Sequence, residues 1–192
     1  MPPKIKITKN DIIVTALSII RQNGTDALNA RNVAAALHCS TQPVFSNFAG
    51  MDELRAAVVE AAFEEYLSFL KRETESGKYP EYKSYGIAYI RFAKEEKELF
   101  KLLFMRDRTG EDTSPSSDFE KSVQIIMKTT GLTRERATLM HLEIWTCVHG
   151  IGVMTATSFL SLEPELISDM LTDVYQGIRA RHLSEEMKNG SN

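Results

Sequence analysis

Apolar residues recur along this chain with helical periodicity, and no segment alternates as a strand does. Between residues 9 and 23 they stand three or four positions apart, at Ile12, Ala16 and Ile20. That spacing places them on one helix face. The pattern predicts an all-α fold of about nine helices: residues 9–23, a short helix after Asn29, and 41–47, 52–74, 84–95, 97–105, 117–130, 134–158 and 164–181.

Residues with capping chemistry mark where several of these helices begin. Thr8 and Asp11 have the spacing of a capping box, in which each side chain bonds the other residue's backbone N–H. Asn29 and Ser40 precede two short helices and are predicted N-caps. The helix pattern favours a domain of three helices at residues 1–50, a larger helical domain at 51–183, and a disordered tail at 184–192.

Charge is distributed unevenly between the two predicted domains. Residues 1–48 carry five basic and two acidic side chains, a net charge of 5 − 2 = +3, so the remainder sums to −3 − 3 = −6. A basic end on an acidic body suits a polyanion such as nucleic acid. The basic side chains are Lys4, Lys6, Lys9, Arg21 and Arg31.

Several classes of function find no support in the sequence. Cys39 and Cys147 lack the spacing of metal ligands, and no apolar run approaches the roughly 20 residues that span a bilayer. No spacing suggests a catalytic triad or a glycine-rich phosphate loop. We therefore expect a cytoplasmic protein with reduced cysteines that is not an enzyme, holds no cofactor or metal and does not contact a membrane.

The second and third predicted helices are short and joined by a tight turn at residues 38–39, which is the arrangement of a helix-turn-helix. In such a unit the second helix enters the major groove, so its outward residues must be small or polar. Val44 and Phe48 can anchor the helix from its inner side. A small helical subdomain with no DNA role is the alternative. The outward residues are Thr41, Gln42, Ser46 and Asn47.

Residues 12–54 resemble, without a gap, the DNA-binding domain of the TetR family of bacterial repressors. Residues 28–34 resemble its second helix, residues 39–48 its turn and recognition helix, and residues 52–54 the start of its fourth helix. The resemblance implies a ligand-responsive repressor that binds a palindromic operator in double-stranded DNA as a homodimer. A basic arm at Lys4, Lys6 and Lys9 would contact phosphates or the minor groove.

Four residues depart from the family pattern, and each departure puts one backbone contact in doubt. His38 replaces the usual turn glycine, Phe45 a tyrosine, Asn47 a histidine and Met51 a lysine. Phe45 and Met51 keep open a helical ligand-binding or protein-interaction module that has lost specific DNA binding. The candidate DNA-binding residues are Lys4, Lys6, Lys9, Asn29, Arg31, Ser40, Thr41, Gln42, Pro43, Phe45, Ser46, Asn47 and Met51.

The C-terminal part resembles one ligand-domain subgroup of the family, whose signature is tryptophan–histidine–glycine. Trp145, His149 and Gly150 match that signature. His141, Trp145 and His149 share one helix face, where packing is favoured over a metal site because no third ligand is visible. We expect a small apolar or amphipathic effector. The candidate lining is Phe63, Tyr66, Tyr89, Phe92, Phe100, Phe104, Met105, His141, Trp145 and His149.

Glycines within the eighth helix need a packing reason, because glycine costs about 1 kcal/mol relative to alanine inside a helix. Close helix approach, either inside the domain or at a dimer interface, supplies one. The resemblance implies that the last two helices pair with their copies. The predicted apolar face is Gly150, Gly152, Leu160, Ile167, Leu171 and Ile178.

Overall fold

A computed structural model describes residues 7–110 and 117–189, and these residues form helices and connecting turns with no strand. The predicted all-α class is confirmed. One short 3₁₀ helix, Thr25–Ala27, follows the first α-helix. The α-helices are α1 Lys9–Asn23, α2 Ala30–Ala36, α3 Gln42–Asn47, α4 Met51–Glu75, α5 Glu81–Glu95, α6 Lys97–Phe104, α7 Ser117–Thr130, α8 Arg134–Ala156 and α9 Pro164–Asn189.

The largest difference from the predicted helices lies at the end of α9. The helix continues to Asn189, so the prediction of a disordered tail from residue 184 is wrong for residues 184–189. Contacts with α8 hold this segment: Glu185 pairs with Arg136, and the fully buried His182 places Nε2 2.9 Å from Oε2 of Glu143. Residues 190–192 lie outside the described part of the chain.

The described chain forms two compact units. The first comprises the residues up to Ser68 together with Glu96–Arg106, and the second comprises Phe69–Glu95 and the residues from Asp107 onward. Helix α6 and the first eighteen residues of α4 thus belong with the N-terminal helices. This division differs from the predicted domain boundary after residue 50, which follows the end of the helix-turn-helix pattern.

Helix α1 is the centre of the first unit, because it packs against α2, α3 and α6. Its apolar face is buried at Ile12, Ala16 and Ile20, as the helical spacing predicts. From its polar side, Arg21 forms ion pairs with Glu65 of α4 and with Glu96, where the N–O distance is 2.9 Å. One side chain therefore ties α1 to two further parts of the unit.

The turn after α2 is closed by backbone hydrogen bonds in the Schellman pattern. The N–H of Cys39 donates to the carbonyl of Ala34 at 2.9 Å, and that of His38 donates to Ala35 at 3.1 Å. His38 has a φ of 52°, in the left-handed region that favours glycine. The reason for a glycine at this turn thus applies here, although the residue is histidine.

Side-chain capping at the helix starts agrees with the sequence at two positions and differs at a third. Thr8 and Asp11 form the predicted capping box on α1. The Asn29 side chain accepts from the N–H of Asn32, which starts α2 as predicted. The prediction that Ser40 caps α3 is wrong, because Thr41 is the N-cap and no side chain caps that helix.

In the second unit, α5 packs against both α8 and α9, and α7 packs against α8. Gly86 of α5 allows the closest approach. A Cβ atom added there would lie 3.3 Å from Leu171 of α9 and 3.3 Å from Val148 of α8. Close helix approach within this unit thus occurs at a glycine of α5. Gly152 of α8 is also buried, and a close approach at that residue stays a prediction.

Two of the side chains predicted for a dimer face are used inside the unit instead. Ile167 and Leu171 of α9 are buried by the chain itself, so their assignment to a face that a second copy covers is wrong. Gly150 differs, since a Cβ built there would have no described atom within 4 Å apart from its chain neighbours and the backbone of its own helix. No described helix is both long enough and apolar enough to cross a bilayer.

The left-handed turn residue generates a stability prediction. A non-glycine residue in the left-handed region costs about 1 kcal/mol. We expect His38→Gly to have a free energy of unfolding about 1 kcal/mol higher than His38→Ala, measured by urea denaturation. The alanine variant is the matched control, because it removes the imidazole and keeps the backbone cost. Equal stability of the two variants would contradict the strain.

Candidate nucleic-acid interface

Helix α3 is held by its inner side chains and presents a defined outer face. Val44 and Phe48 are 1% and 2% exposed, and the helix packs against α1 and α2. Positions 42, 45 and 46 share the opposite face because they are three and four residues apart. Gln42, Phe45 and Ser46 are all exposed there. This is the second helix of a helix-turn-helix, with its outer face accessible.

The polar side chains of α3 differ in how far the chain itself uses them. Ser46 Oγ donates to the carbonyl of Gln42 and Asn47 Nδ2 donates to that of Pro43, both at 2.8 Å. The Gln42 side chain makes no hydrogen bond to any other described residue, so its amide donor and acceptor remain accessible. Of the polar residues predicted on this helix, Gln42 is the best suited to read a base edge.

The other candidates around the turn are placed more variably. Arg31 of α2 and Ser40 are exposed, whereas Thr41 and Pro43 at the start of α3 are half-buried. Asn29 has one amide function committed to capping α2, and its Nδ2 donates to the carbonyl of Ala27. Both ends of the Asn29 amide thus bond within the chain, which leaves fewer of its groups to contact a phosphate.

Negative charge is absent from the segment that carries α2, the turn and α3. The sequence holds no aspartate or glutamate between Asp26 and Asp52, and it places Arg31 on the exposed side of α2. Carboxylates in this segment would repel the phosphates of a DNA backbone that it contacts. Their absence over 25 consecutive positions (51 − 27 + 1) suits contact with DNA.

Lys9 is the member of the basic arm that the structure describes, and it already has a partner. Its Nζ lies 3.2 Å from Oε1 of Glu53 and 4.7 Å from the ring centre of Phe48. Glu53 also accepts the N–H of Ala49, and these contacts lower the pKa of its carboxyl. An exposed ion pair of this kind stabilises the fold only slightly, so a phosphate can displace Glu53.

Two other predicted basic contacts, Lys4 and Lys6, lie outside the described residues. Met51 is half-buried at the first position of α4, two residues before Glu53. The carboxylate of Glu53 sits close to the N–H groups that a phosphate would use at this helix start. The arrangement leaves α4 a weaker anion site than a lysine at position 51 would create.

The aromatic side chains predicted to line an effector site fall into both compact units. In the first unit, Tyr66 packs edge-on against Phe104 at 5.2 Å, and Phe104 contacts Phe100 at 5.1 Å. Phe100 is fully buried, whereas Phe63 and Met105 are close to half exposed. This cluster thus has a core end and an accessible end.

The second unit joins α5 to α8 through two tyrosine–histidine hydrogen bonds. Tyr82 Oη lies 2.8 Å from Nδ1 of His141, and Tyr89 Oη lies 2.8 Å from Nδ1 of His149. Trp145 stacks on His149 with ring centres 5.1 Å apart. Burial lowers the pKa of His141 to about 4 and also lowers that of His149, so both rings are neutral at neutral pH.

The remaining candidate of this unit, Phe92, is fully buried and packs edge-on against Phe69 at 5.7 Å, which is a core position. No cluster of histidine, cysteine and acidic side chains suited to a metal occurs in residues 7–110 and 117–189. Whether the ten predicted residues contact an effector stays a prediction.

The predicted set of site residues did not include the side chains that surround His141. Tyr82 bonds its ring nitrogen, while Phe119 packs edge-on against the imidazole at 4.7 Å and Tyr175 packs against Tyr82 at 5.9 Å. A usable signal existed, because the tyrosines at 82 and 89 and the histidines at 141 and 149 have nearly equal spacings on neighbouring helices.

The architecture is similar to several solved structures of low sequence identity. A protein of unknown function from Rhodococcus sp. RHA1 is 19% identical, with a TM-score of 0.70 over 92% of this chain and 97% of that chain. A TetR-family member from Streptomyces coelicolor A3 is 15% identical, with a TM-score of 0.62 over 86% and 96%. A TetR variant from Acinetobacter baumannii AYE, in complex with minocycline, is 16% identical, with a TM-score of 0.62 over 92% and 99%.

No family model matches the sequence, and neither does any curated protein. The structural likenesses, which cover 86–92% of this chain, show that it has the TetR-family fold. The resemblance predicted from residues 12–54 is therefore confirmed for the fold. Assignment to the tryptophan–histidine–glycine subgroup stays a prediction.

The neutral state of His141 predicts a pH dependence of stability. Because the pKa is near 4 when folded and near 6.5 when unfolded, only the unfolded chain takes up this proton between those values. The stability that the neutral His141 contributes is fully present above about pH 6.5 and is lost as the pH falls towards 4. We expect His141→Gln to lose about 1–2 kcal/mol less than the wild type between about pH 7 and pH 5, measured by urea denaturation. Equal losses would show that His141 is charged in the folded protein.

Proposed function

We propose that this chain is a DNA-binding transcriptional regulator. It acts as a repressor that occupies a palindromic operator as a homodimer, and a small apolar or amphipathic effector in its C-terminal domain alters that binding. Each recognition helix α3 reads one half-site, with Gln42 on a base edge and Arg31, Lys9 and the neighbouring polar residues towards phosphates.

The outer face of α3 is the observation that carries this proposal. A six-residue helix is anchored by Val44 and Phe48, leaves the amide of Gln42 accessible, and stands in a segment without a carboxylate. These are the requirements for direct readout in the major groove, where glutamine bonds adenine through N6 and N7. The TetR-family fold adds support, since neighbours with this fold are described as transcriptional regulators.

An accessible apolar surface supports the homodimer. Leu139, Leu142 and Trp145 of α8 are each more than 40% exposed although they are large and apolar. They lie three residues apart, on one side of the helix, and Gly150 further along has open space around it. Several large apolar side chains exposed on one side of a helix are typical of a face that another protein copy covers.

The effector proposal draws on the aromatic clusters and on a structural neighbour. The candidates in the second unit are aromatic or histidine side chains, and burial lowers the pKa of both histidines, which suits an apolar or amphipathic molecule rather than a highly charged one. The TetR variant from Acinetobacter baumannii AYE is in complex with minocycline, a small molecule. We propose that this chain likewise binds a small molecule and that the binding alters its affinity for DNA.

Selection of binding sites from a pool of random DNA duplexes tests the proposed function. We expect enrichment of one palindromic sequence, with an affinity that exceeds that for shuffled duplex by about a thousandfold or more at moderate salt. A protein that enriches no sequence, even at low salt where phosphate contacts are strongest, would instead be a helical module without specific DNA binding.

The accessible amide of Gln42 gives the first mutational prediction. Gln42→Ala should cost about 1–3 kcal/mol on the selected duplex and relax the preference at one base pair of each half-site, measured by fluorescence anisotropy. Gln124→Ala is the matched control, because it truncates an exposed glutamine on α7. Equal losses on selected and shuffled duplexes would mean that Gln42 contacts only the backbone.

Met51 gives a second mutational prediction, which concerns salt dependence. Met51→Lys should tighten binding to every duplex by a similar factor, because phosphates carry no sequence information. The slope of log affinity against log salt should steepen by about one per protomer. Gln124→Lys adds the same charge on α7 and should not steepen the slope. An unchanged slope for Met51→Lys would show that the start of α4 does not approach the backbone.

A further inference from the structure

The outer face of α3 carries a large apolar side chain that the fold does not use. Phe45 is 53% exposed, although its neighbour Val44 and the later Phe48 are buried. Within residues 7–110 and 117–189 its ring stacks on no other aromatic ring and lies under no cation. Burial of a phenylalanine is worth about 1.5–3 kcal/mol, so an exposed one on a short helix forgoes stability. We therefore expect this ring to contact another molecule.

The position of Phe45 restricts what it can contact. It lies three residues after Gln42 and next to Ser46, on the face that points away from α1 and α2. The ring has no hydroxyl, so it cannot donate a hydrogen bond to a phosphate. Among the groups on base edges in the major groove, the C5 methyl of thymine is the one that favours an apolar side chain.

We propose that Phe45 is a specificity-determining residue that contacts the C5 methyl group of a thymine, one helical turn along α3 from the base bound by Gln42. The pair then selects A·T base pairs, with Gln42 bonding adenine N6 and N7 and Phe45 packing on a thymine methyl. This inference rests on the proposed function, because it takes DNA to be the partner of this face. The partner class follows from the missing carboxylates between residues 27 and 51 and from the helix-turn-helix itself.

Replacement of thymine by uracil tests the contact, since uracil lacks only the methyl group and pairs identically. Each thymine of the selected duplex is replaced in turn by deoxyuridine, and affinity is measured by fluorescence anisotropy. We expect one position in each half-site to weaken wild-type binding about three- to fivefold, the effect of exposing one methyl group. Phe45→Ala should bind the thymine duplex more weakly and lose this discrimination, while Phe45→Tyr should keep it.

Val14→Ala is the matched control, because Val14 is another exposed apolar side chain, on α1, and its truncation should leave the discrimination unchanged. Circular dichroism verifies that each variant keeps its helix content. Wild-type binding that no uracil replacement weakens overturns the inference while the proposed function stands. The same holds if Phe45→Ala discriminates as the wild type does, because another side chain then reads the methyl. Failure to select any duplex overturns the proposed function and this inference together.

Discussion

Burial of Val44 and Phe48 is the interaction on which the candidate interface depends. Helix α3 has six residues, and isolated helices shorter than about 12–15 residues are marginal in water. The helix therefore exists because its inner side chains are buried against α1 and α2. The same burial turns Gln42, Phe45 and Ser46 outward. Core packing thus positions the outward side chains of α3, and a substitution that disrupts this core would also disrupt the candidate interface.

Ion pairs, as well as apolar contacts, hold α1 in place within the first unit. Arg21 pairs with Glu65 and Glu96, which joins three helical segments of the first unit at one guanidinium. Arginine suits this role because its planar fork can serve two carboxylates at once. Individual surface pairs contribute little, but a shared guanidinium restricts the relative positions of the segments that it joins.

The second unit is organised by polar groups within its core. The pairs Tyr82–His141 and Tyr89–His149 run between α5 and α8, and Gly86 lets α5 approach both α8 and α9. Separating the partners of a part-buried hydrogen bond costs free energy, so two such bonds favour one register of α5 against α8. These hydrogen bonds give His141 and His149 a role in packing α8 against α5.

The sequence by itself determined the helices, the two short helices with their tight turn and the outward position of Gln42 and Ser46, because helical periodicity and capping are local and act within a few residues. It placed Thr41 and Asn47 outward as well, but both are half-buried. Tertiary structure decided the rest. It buried Ile167 and Leu171, committed Lys9 to Glu53, left the ring of Phe45 exposed and extended α9 to Asn189. Each of these depends on a partner distant in sequence, such as Glu143 beside His182. Local sequence patterns do not predict such partners, because a polar residue occupies the same place in the pattern whether its side chain contacts water or another helix.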